Sequence, residues 1–226
     1  MDTFDCIRTR RSIRKFLPSK IPEEILYRIL DAANAAPCAG NIQSWRFLIT
    51  DEEDSKKVIA KACLDQDWIE TAPVIVLILS DNKLLKMEHG ERGEKLYDMQ
   101  NAALAAGNLM LAAWHFGIGS TFVGAFTEAK LRKEFRIPDN IKIHAIIPLG
   151  YTAELPRPPG KIGINDLIHV DYWGRKLKER REELTGMIFH EAAEPRLLEK
   201  GVQLGKEIGT KVKKTIKRTR AKVKKK

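Results

Sequence analysis

Cysteine is scarce in this 226-residue chain, which has only Cys6, Cys38 and Cys63. An odd count with no CxxC spacing excludes a disulfide framework and a thiolate zinc cluster, and it points to a reducing, cytoplasmic setting. Long hydrophobic runs are missing too. The longest, residues 72–79, falls far short of the roughly 20 residues a membrane-spanning helix requires. The start of the chain carries no basic segment followed by an apolar one of leader type. Neither GxSxG nor GxxxxGKS/T occurs, which removes the α/β-hydrolase nucleophile elbow and the Walker phosphate loop. His190-Glu191-Ala192-Ala193-Glu194 opens like a zincin helix, but Glu194 stands where the second metal-binding His is needed. His89, His115, His144 and His169 are scattered without ligand spacing, as expected of packing or surface residues. A chain this poor in nucleophiles and acid/base pairs fits chemistry carried by a bound organic cofactor, with the protein supplying binding, orientation and electronic tuning.

Charge is not evenly spread. The net +10 suggests a polyanion partner until it is divided along the chain: residues 1–174 hold 22 Lys and Arg against 23 Asp and Glu, and residues 175–226 hold 18 against 7. The first segment therefore reads as a near-neutral globular domain and the second as a basic, partly helical C-terminal extension. In that extension Leu204, Ile208, Val212 and Ile216 recur every four residues, and ten of the 16 residues at 211–226 are basic. Such a segment suits a solvated tail, an amphipathic helix on an anionic membrane, or a non-specific nucleic-acid contact.

The periodicity predicts helices over residues 2–9, from Pro22 to a stop at Pro37, and over 55–64, 94–116 and 128–135. In the long Ala-rich helix, Leu96, Met99, Ala103, Ala106, Met110 and Ala113 form the expected face, buried in the core or in a dimer interface. Strands are predicted over 45–50, 74–79, 120–123 and 141–149, the second buried on both faces. Helices and strands mix without regular βαβ alternation, which predicts an α+β fold.

Two polar clusters carry the candidate chemistry. Arg10-Arg11-Ser12-Ile13-Arg14 places three forked cations and a hydroxyl within five positions, a donor set matched to a phosphomonoester. Pro37-Cys38-Ala39-Gly40-Asn41-Ile42-Gln43-Ser44-Trp45 offers amides suited to a heterocycle edge. A third stretch, Gly117-Ile118-Gly119-Ser120-Thr121-Phe122-Val123-Gly124, lacks GxGxxG spacing and follows a helix, so it is no Rossmann turn. Its glycines make a plain turn or admit a flat ligand against backbone N–H groups.

These segments, with Ile147-Pro148-Leu149-Gly150-Tyr151, occur in an order and at separations that resemble the FMN-dependent nitroreductase-like flavoprotein family over residues 4–173. The resemblance implies an α/β sandwich with a central, mostly antiparallel sheet flanked by helices, forming an intertwined homodimer with two FMN sites at the interface. It implies that Arg10, Arg11, Ser12 and Arg14 hold the phosphate, ribityl chain and pyrimidine edge. Pro37, Cys38, Ala39 and Asn41 would come from the other subunit, with Gln43 supporting their loop. Backbone groups of Phe122, Val123, Gly124 and Ala125 would lie beside the isoalloxazine, and Lys161 or Arg157 would close over the phosphate. The implied activity is ping-pong transfer of hydride from NADH or NADPH to a nitroaromatic, quinone or related small acceptor. The chain departs from the family at Cys38, commonly Ser, at Ser44, commonly Pro, and at Pro159, where a basic residue is usual. A competing expectation is a flavin-free fold acting as a nucleic-acid or membrane-binding module.

Overall fold

The computed structural model describes residues 2–177. The chain divides into two units, residues 1–159 and residues 160–226.

The first unit is organised by β2 (Val74–Asp81), whose apolar run is buried on both faces up to Ser80. Strand side chains alternate between faces. Ile75, Leu77 and Leu79 pack on one side with Ile59 of α3 (Glu53–Ala62) and Leu131 of α6 (Glu128–Phe135). Val74, Val76 and Ile78 pack on the other with Ile29 and Ala33 of α2 (Glu23–Asn34) and with Ala102, Ala106 and Leu109 of α5 (Asp98–His115). The sheet is completed by β1 (Trp45–Thr50), β3 (Ile118–Ser120) and β4 (Ile141–Tyr151), in the order β1-β2-β4-β3 with every ladder antiparallel. This is the α+β arrangement expected from the sequence. Between β2 and β4 the register slips, so that Ile78 faces Ala145 and Leu79 faces Ile143. His144 is the extra residue of that bulge, a device that re-aims a side chain.

Several boundaries differ from the sequence expectation. Helix α2 ends at Asn34, three residues before Pro37, because Ala35 already leaves the helix with its amide bonded to Asp31 and Ala33 carbonyls. Helix α3 occupies 53–62 instead of 55–64, since Glu53 and Asp54 open its first turn and Leu64 and Asp65 adopt left-handed backbone angles beyond its end. The helix expected over 94–116 is broken. Helix α4 (Lys83–Arg92), not expected at all, kinks at Gly90 (φ 57°, ψ −144°), and a π-helical turn (Gly93–Tyr97) leads into α5. The buried face of α5 is Asp98, Asn101, Ala102, Ala105, Ala106, Leu109 and Ala113, whereas Met99 and Ala103 of the expected face are exposed. Apolar residues ring this helix, so periodicity alone did not orient it.

The first segment of the chain is pressed against the sheet by a close packing contact. Gly119 of β3 lies under Ile13, and a Cβ there would stand 2.8 Å from Ile13 Cγ1 and 2.9 Å from its Cβ. Ile13 is fully buried and has no room to yield. Gly119→Ala is therefore expected to destabilise the fold by about 1–3 kcal/mol through overpacking. The measurement is the urea unfolding midpoint, and an unchanged midpoint would show that Ile13 yields freely.

In the second unit, α7 (Ile164–Leu167) is a single helical turn, followed by a loop in which the Gly174 amide donates to His169 Nδ1 at 2.9 Å. The His169 ring stacks on Trp173 with 4.1 Å between centroids. The helical stretch expected from residue 195, the basic run at 211–226 and the His190 motif lie outside the described residues. Among the described residues no helix is long and apolar enough to cross a membrane.

Candidate functional site

Helix α1 (Thr3–Thr9) ends where the arginine cluster begins, and Arg11 Nη1 donates to the Arg8 and Arg10 carbonyls at 2.9 and 2.8 Å. A guanidinium at a helix C-terminus satisfies carbonyls left open there and opposes the negative end of the dipole. Beyond it the chain runs extended along the sheet. Ser12 bridges Ser120 in parallel, the Ile13 amide donates to the Ser120 carbonyl at 3.1 Å, and Thr121 Oγ1 donates to the Ile13 carbonyl at 2.6 Å. Further on, the Arg14 amide donates to Glu154 Oε1 at 2.8 Å, and the Arg14 guanidinium lies 5.8 Å from the Trp68 ring centre. These contacts bring the Arg10–Arg14 segment beside Phe122, Val123, Gly124 and Ala125.

Arg28 and Arg132 are paired with Glu24 and Glu128, but among the described residues no carboxylate lies within ion-pair distance of Arg10, Arg11 or Arg14. Forked guanidinium donors of this kind are matched to the oxygens of a dianion. The amide and carbonyl of Val123 are both bonded to Ile146 at 2.9 Å, so Val123 anchors its segment to β4. Phe122, Gly124 and Ala125 are left exposed.

The second cluster forms a tight loop before β1. Gly40 and Asn41 are both left-handed (φ 58° and 57°), and the Ile42 amide donates to the Ala39 carbonyl at 3.0 Å. Gln43 Nε2 reaches Asn41 Oδ1 at 3.0 Å and Cys38 Sγ at 3.2 Å, so the two loop residues are tied through one amide. The turn seats on helix α5: Asn101 Oδ1 accepts from the Ala39 amide at 3.0 Å, and its Nδ2 donates to the Ile42 carbonyl at 3.1 Å.

Within one chain these two clusters are far apart. Asn101 carries the loop near one end of α5, and Trp114 Nε1 bonds Thr9 Oγ1, beside the arginines, near the other. At the helical rise, the 13 residue steps from Asn101 to Trp114 span about 20 Å. The loop leads into β1 and the arginine segment lies beside β3, the two opposite edges of the sheet.

The sequence pattern described as "Nitroreductase family" matches residues 7–66 and 52–151. The chain belongs to the nitroreductase family. A Methanothermobacter thermautotrophicus relative, provisionally named NADH dehydrogenase/NAD(P)H nitroreductase, is 31% identical over 182 residues, covering 76% of this chain and 88% of the relative. The Thermotoga neapolitana iodotyrosine deiodinase is 27% identical over 180 residues, covering 69% and 90%. The crystal structure of a nitroreductase family protein from Clostridium novyi superposes with a TM-score of 0.63 at 26% identity, covering 79% of this chain and 98% of that one.

Not every candidate falls into the two clusters of this nitroreductase-family chain. Arg157 is exposed at the end of the first unit, and Lys161 is exposed in the second. A third polar group was missed by sequence reasoning. Ser80 Oγ lies 2.7 Å from both Asp98 Oδ2 and His144 Nε2, with Ser80 and Asp98 buried and His144 partly buried. Burial opposes ionisation of Asp98, yet hydrogen bonds from His144, Ser80 and Ser44 outweigh it and hold the carboxyl below its ordinary 3.8. The single Ser80 proton goes to that carboxylate, so Ser80 Oγ accepts from His144 Nε2–H. Both Ser80 and Asp98 sit at the same imidazole nitrogen, which is not the relay of a nucleophilic triad. A polar residue at each buried position of an otherwise apolar pattern, Ser80 in β2 and Asp98 with Asn101 in α5, was the available signal. Cys6 and Cys63 are buried free thiols, and Cys63 is pushed up to about 12 by burial and stays a thiol.

Proposed function

We propose that this chain is an FMN-dependent oxidoreductase that uses NADH or NADPH to reduce nitroaromatic, quinone or related small acceptors, and that it acts as a homodimer in a reducing, cytoplasmic setting. The observation that carries this reading is the segment in which Arg10, Arg11 and Arg14 have, among the described residues, no carboxylate within ion-pair distance, together with Ser12 and the exposed Phe122, Gly124 and Ala125. The donor set fits the group: forked cations for the phosphate, and unpaired backbone for a flat polar ring. Bound FMN supplies a centre that accepts and returns hydride, so no side-chain nucleophile is required.

The protein's own residues then have distinct tasks. Arg10, Arg11 and Ser12 bind the phosphate and ribityl end, with Arg157 of the same unit as a further cation for it. Arg14, steadied over Trp68, presents charge toward the pyrimidine edge and favours added negative charge there. Val123 fixes the segment that offers Gly124 and Ala125 to the ring. Pro37, Cys38, Ala39 and Asn41, tied by Gln43, complete the site from a second copy, since the two clusters of one chain lie about 20 Å apart along α5.

The surface for that second copy is apolar. Met99 and Leu104 on α5 are 60% and 45% exposed, with exposed Ala103 between them. Burying a charge in such an interface is strongly unfavourable. Leu104→Asp is expected to yield a monomer by light scattering and to lose FMN with it; a dimer that keeps its flavin would contradict this surface assignment.

A visible absorption spectrum of the purified protein tests the function as a whole. The reading predicts bound oxidised flavin that bleaches with NADH or NADPH and recovers on adding a nitroaromatic or quinone. A colourless protein that takes up no FMN on titration contradicts it and favours the flavin-free binding module.

A further inference from the structure

Asn101 is an anomaly on α5. It is 1% exposed on a face whose other buried members, Asp98 apart, are apolar residues such as Ala102, Ala105, Ala106 and Leu109. An amide buried there is unfavourable unless its bonds are satisfied. All of its polar capacity is directed at one place, the turn before β1. Oδ1 takes the Ala39 amide, and Nδ2 reaches the Ile42 carbonyl and, at 3.5 Å, Ser44 Oγ. Those partners stand on both sides of Gly40 and Asn41, whose left-handed angles are costly for Asn and need support from outside the turn. Buried polar groups thereby tie the start of α5 to the Asn41 loop.

We infer that Asn101 is a positioning residue that presets the Asn41 loop for cofactor binding. This rests on the proposed FMN function. A preformed loop binds without first being ordered, so freeing it lowers affinity although the residues that touch ligand are untouched. Neither Asn101 nor Ser44 reaches the surface, so their effect on a ligand passes through the loop.

The test is FMN titration by quenching of flavin fluorescence, on the full chain after removal of cofactor. Asn101→Ala is expected to raise the FMN Kd about tenfold or more, as expected when two buried hydrogen bonds are lost. It is also expected to speed hydrogen exchange at the Ala39 amide. Asn108→Ala is the control, because Asn108 on the same helix bonds only the Ala32 carbonyl, at 3.2 Å, away from the loop. It should leave Kd within twofold of wild type even where it lowers thermal stability. If Asn101→Ala does not fold, Ser44→Ala keeps both Asn101 bonds to the turn and is expected to raise Kd about threefold. An Asn101→Ala protein that binds FMN like wild type, or an equal loss in Asn108→Ala, overturns the inference alone. A wild-type protein that binds no FMN overturns the proposed function and this inference with it.

Discussion

Arg11→Ala is expected to emerge from purification without flavin. Arg11 stands in a segment whose three guanidinium groups have, among the described residues, no carboxylate within ion-pair distance, and the phosphate of FMN would be its counter-ion. A charge-assisted hydrogen bond contributes about 1.5–3 kcal/mol, and a bidentate pair engages two of them. Loss of the guanidinium should therefore weaken FMN binding by about a hundredfold or more, enough to strip the cofactor at working dilution. Arg11 has a second task, since its Nη1 also closes the end of α1 at the Arg8 and Arg10 carbonyls. Those carbonyls lie at an exposed helix end and can turn to water, so the apo form should lose no more than about 1 kcal/mol of stability. The flavin-to-protein absorbance ratio and a urea unfolding curve of the apoprotein separate the two effects. An Arg11→Ala protein with full flavin occupancy would remove the phosphate assignment.

The second large effect is on the fold. Asp98→Asn keeps the size of the side chain but replaces an acceptor by an amide that confronts the hydroxyls of Ser80 and Ser44 and the Nε2–H of His144. With these groups buried, the expected loss is about 3 kcal/mol at neutral pH, or roughly 10 °C in Tm for a unit of this size. The pH dependence has a definite sign. The carboxyl is held below its ordinary 3.8 in the folded protein, so its contribution is fully present above that value. It disappears as pH falls through the lower folded value. The stability gap between wild type and Asp98→Asn should therefore be constant above about pH 5 and narrow below 3.8. A gap that is absent at pH 7, or unchanged in strong acid, would show that the Asp98 charge does not hold this cluster together.

The contrast between the two predictions reflects what was legible in the sequence. Arg10 through Arg14 and the Asn41 loop could be picked out because their chemistry is local: cations crowded together, and amides between a proline and a strand. Strand β1 and helix α6 were equally local, with boundaries marked by Pro, Glu and apolar alternation. The Asp98 cluster was not local. Ser80, Asp98 and His144 come from three elements, and His144 joins them only because a bulge in β4 shifts its register against β2. A single residue inserted in a ladder leaves no mark in composition. The break before α5 was hidden for a related reason. Residues 94–97 continue a good helical pattern, but Gly93 packs so closely on the Leu85 carbonyl that the turn widens there. The orientation of α5 followed from packing, since both of its sides are apolar enough to be buried.

One mixing experiment bears most directly on a flavin site built from two chains. Arg11→Ala damages the arginine cluster, and Asn41→Ala combined with Gln43→Ala damages the loop, so each protein alone should bind FMN poorly. A heterodimer of the two carries one site in which the arginine cluster of one chain meets the loop of the other, both intact. Co-expression with two affinity tags and purification through both should recover one tightly bound FMN per two chains. If each site were contained within a single chain, no intact site would exist in the mixture, and a flavin-free heterodimer would contradict the shared site.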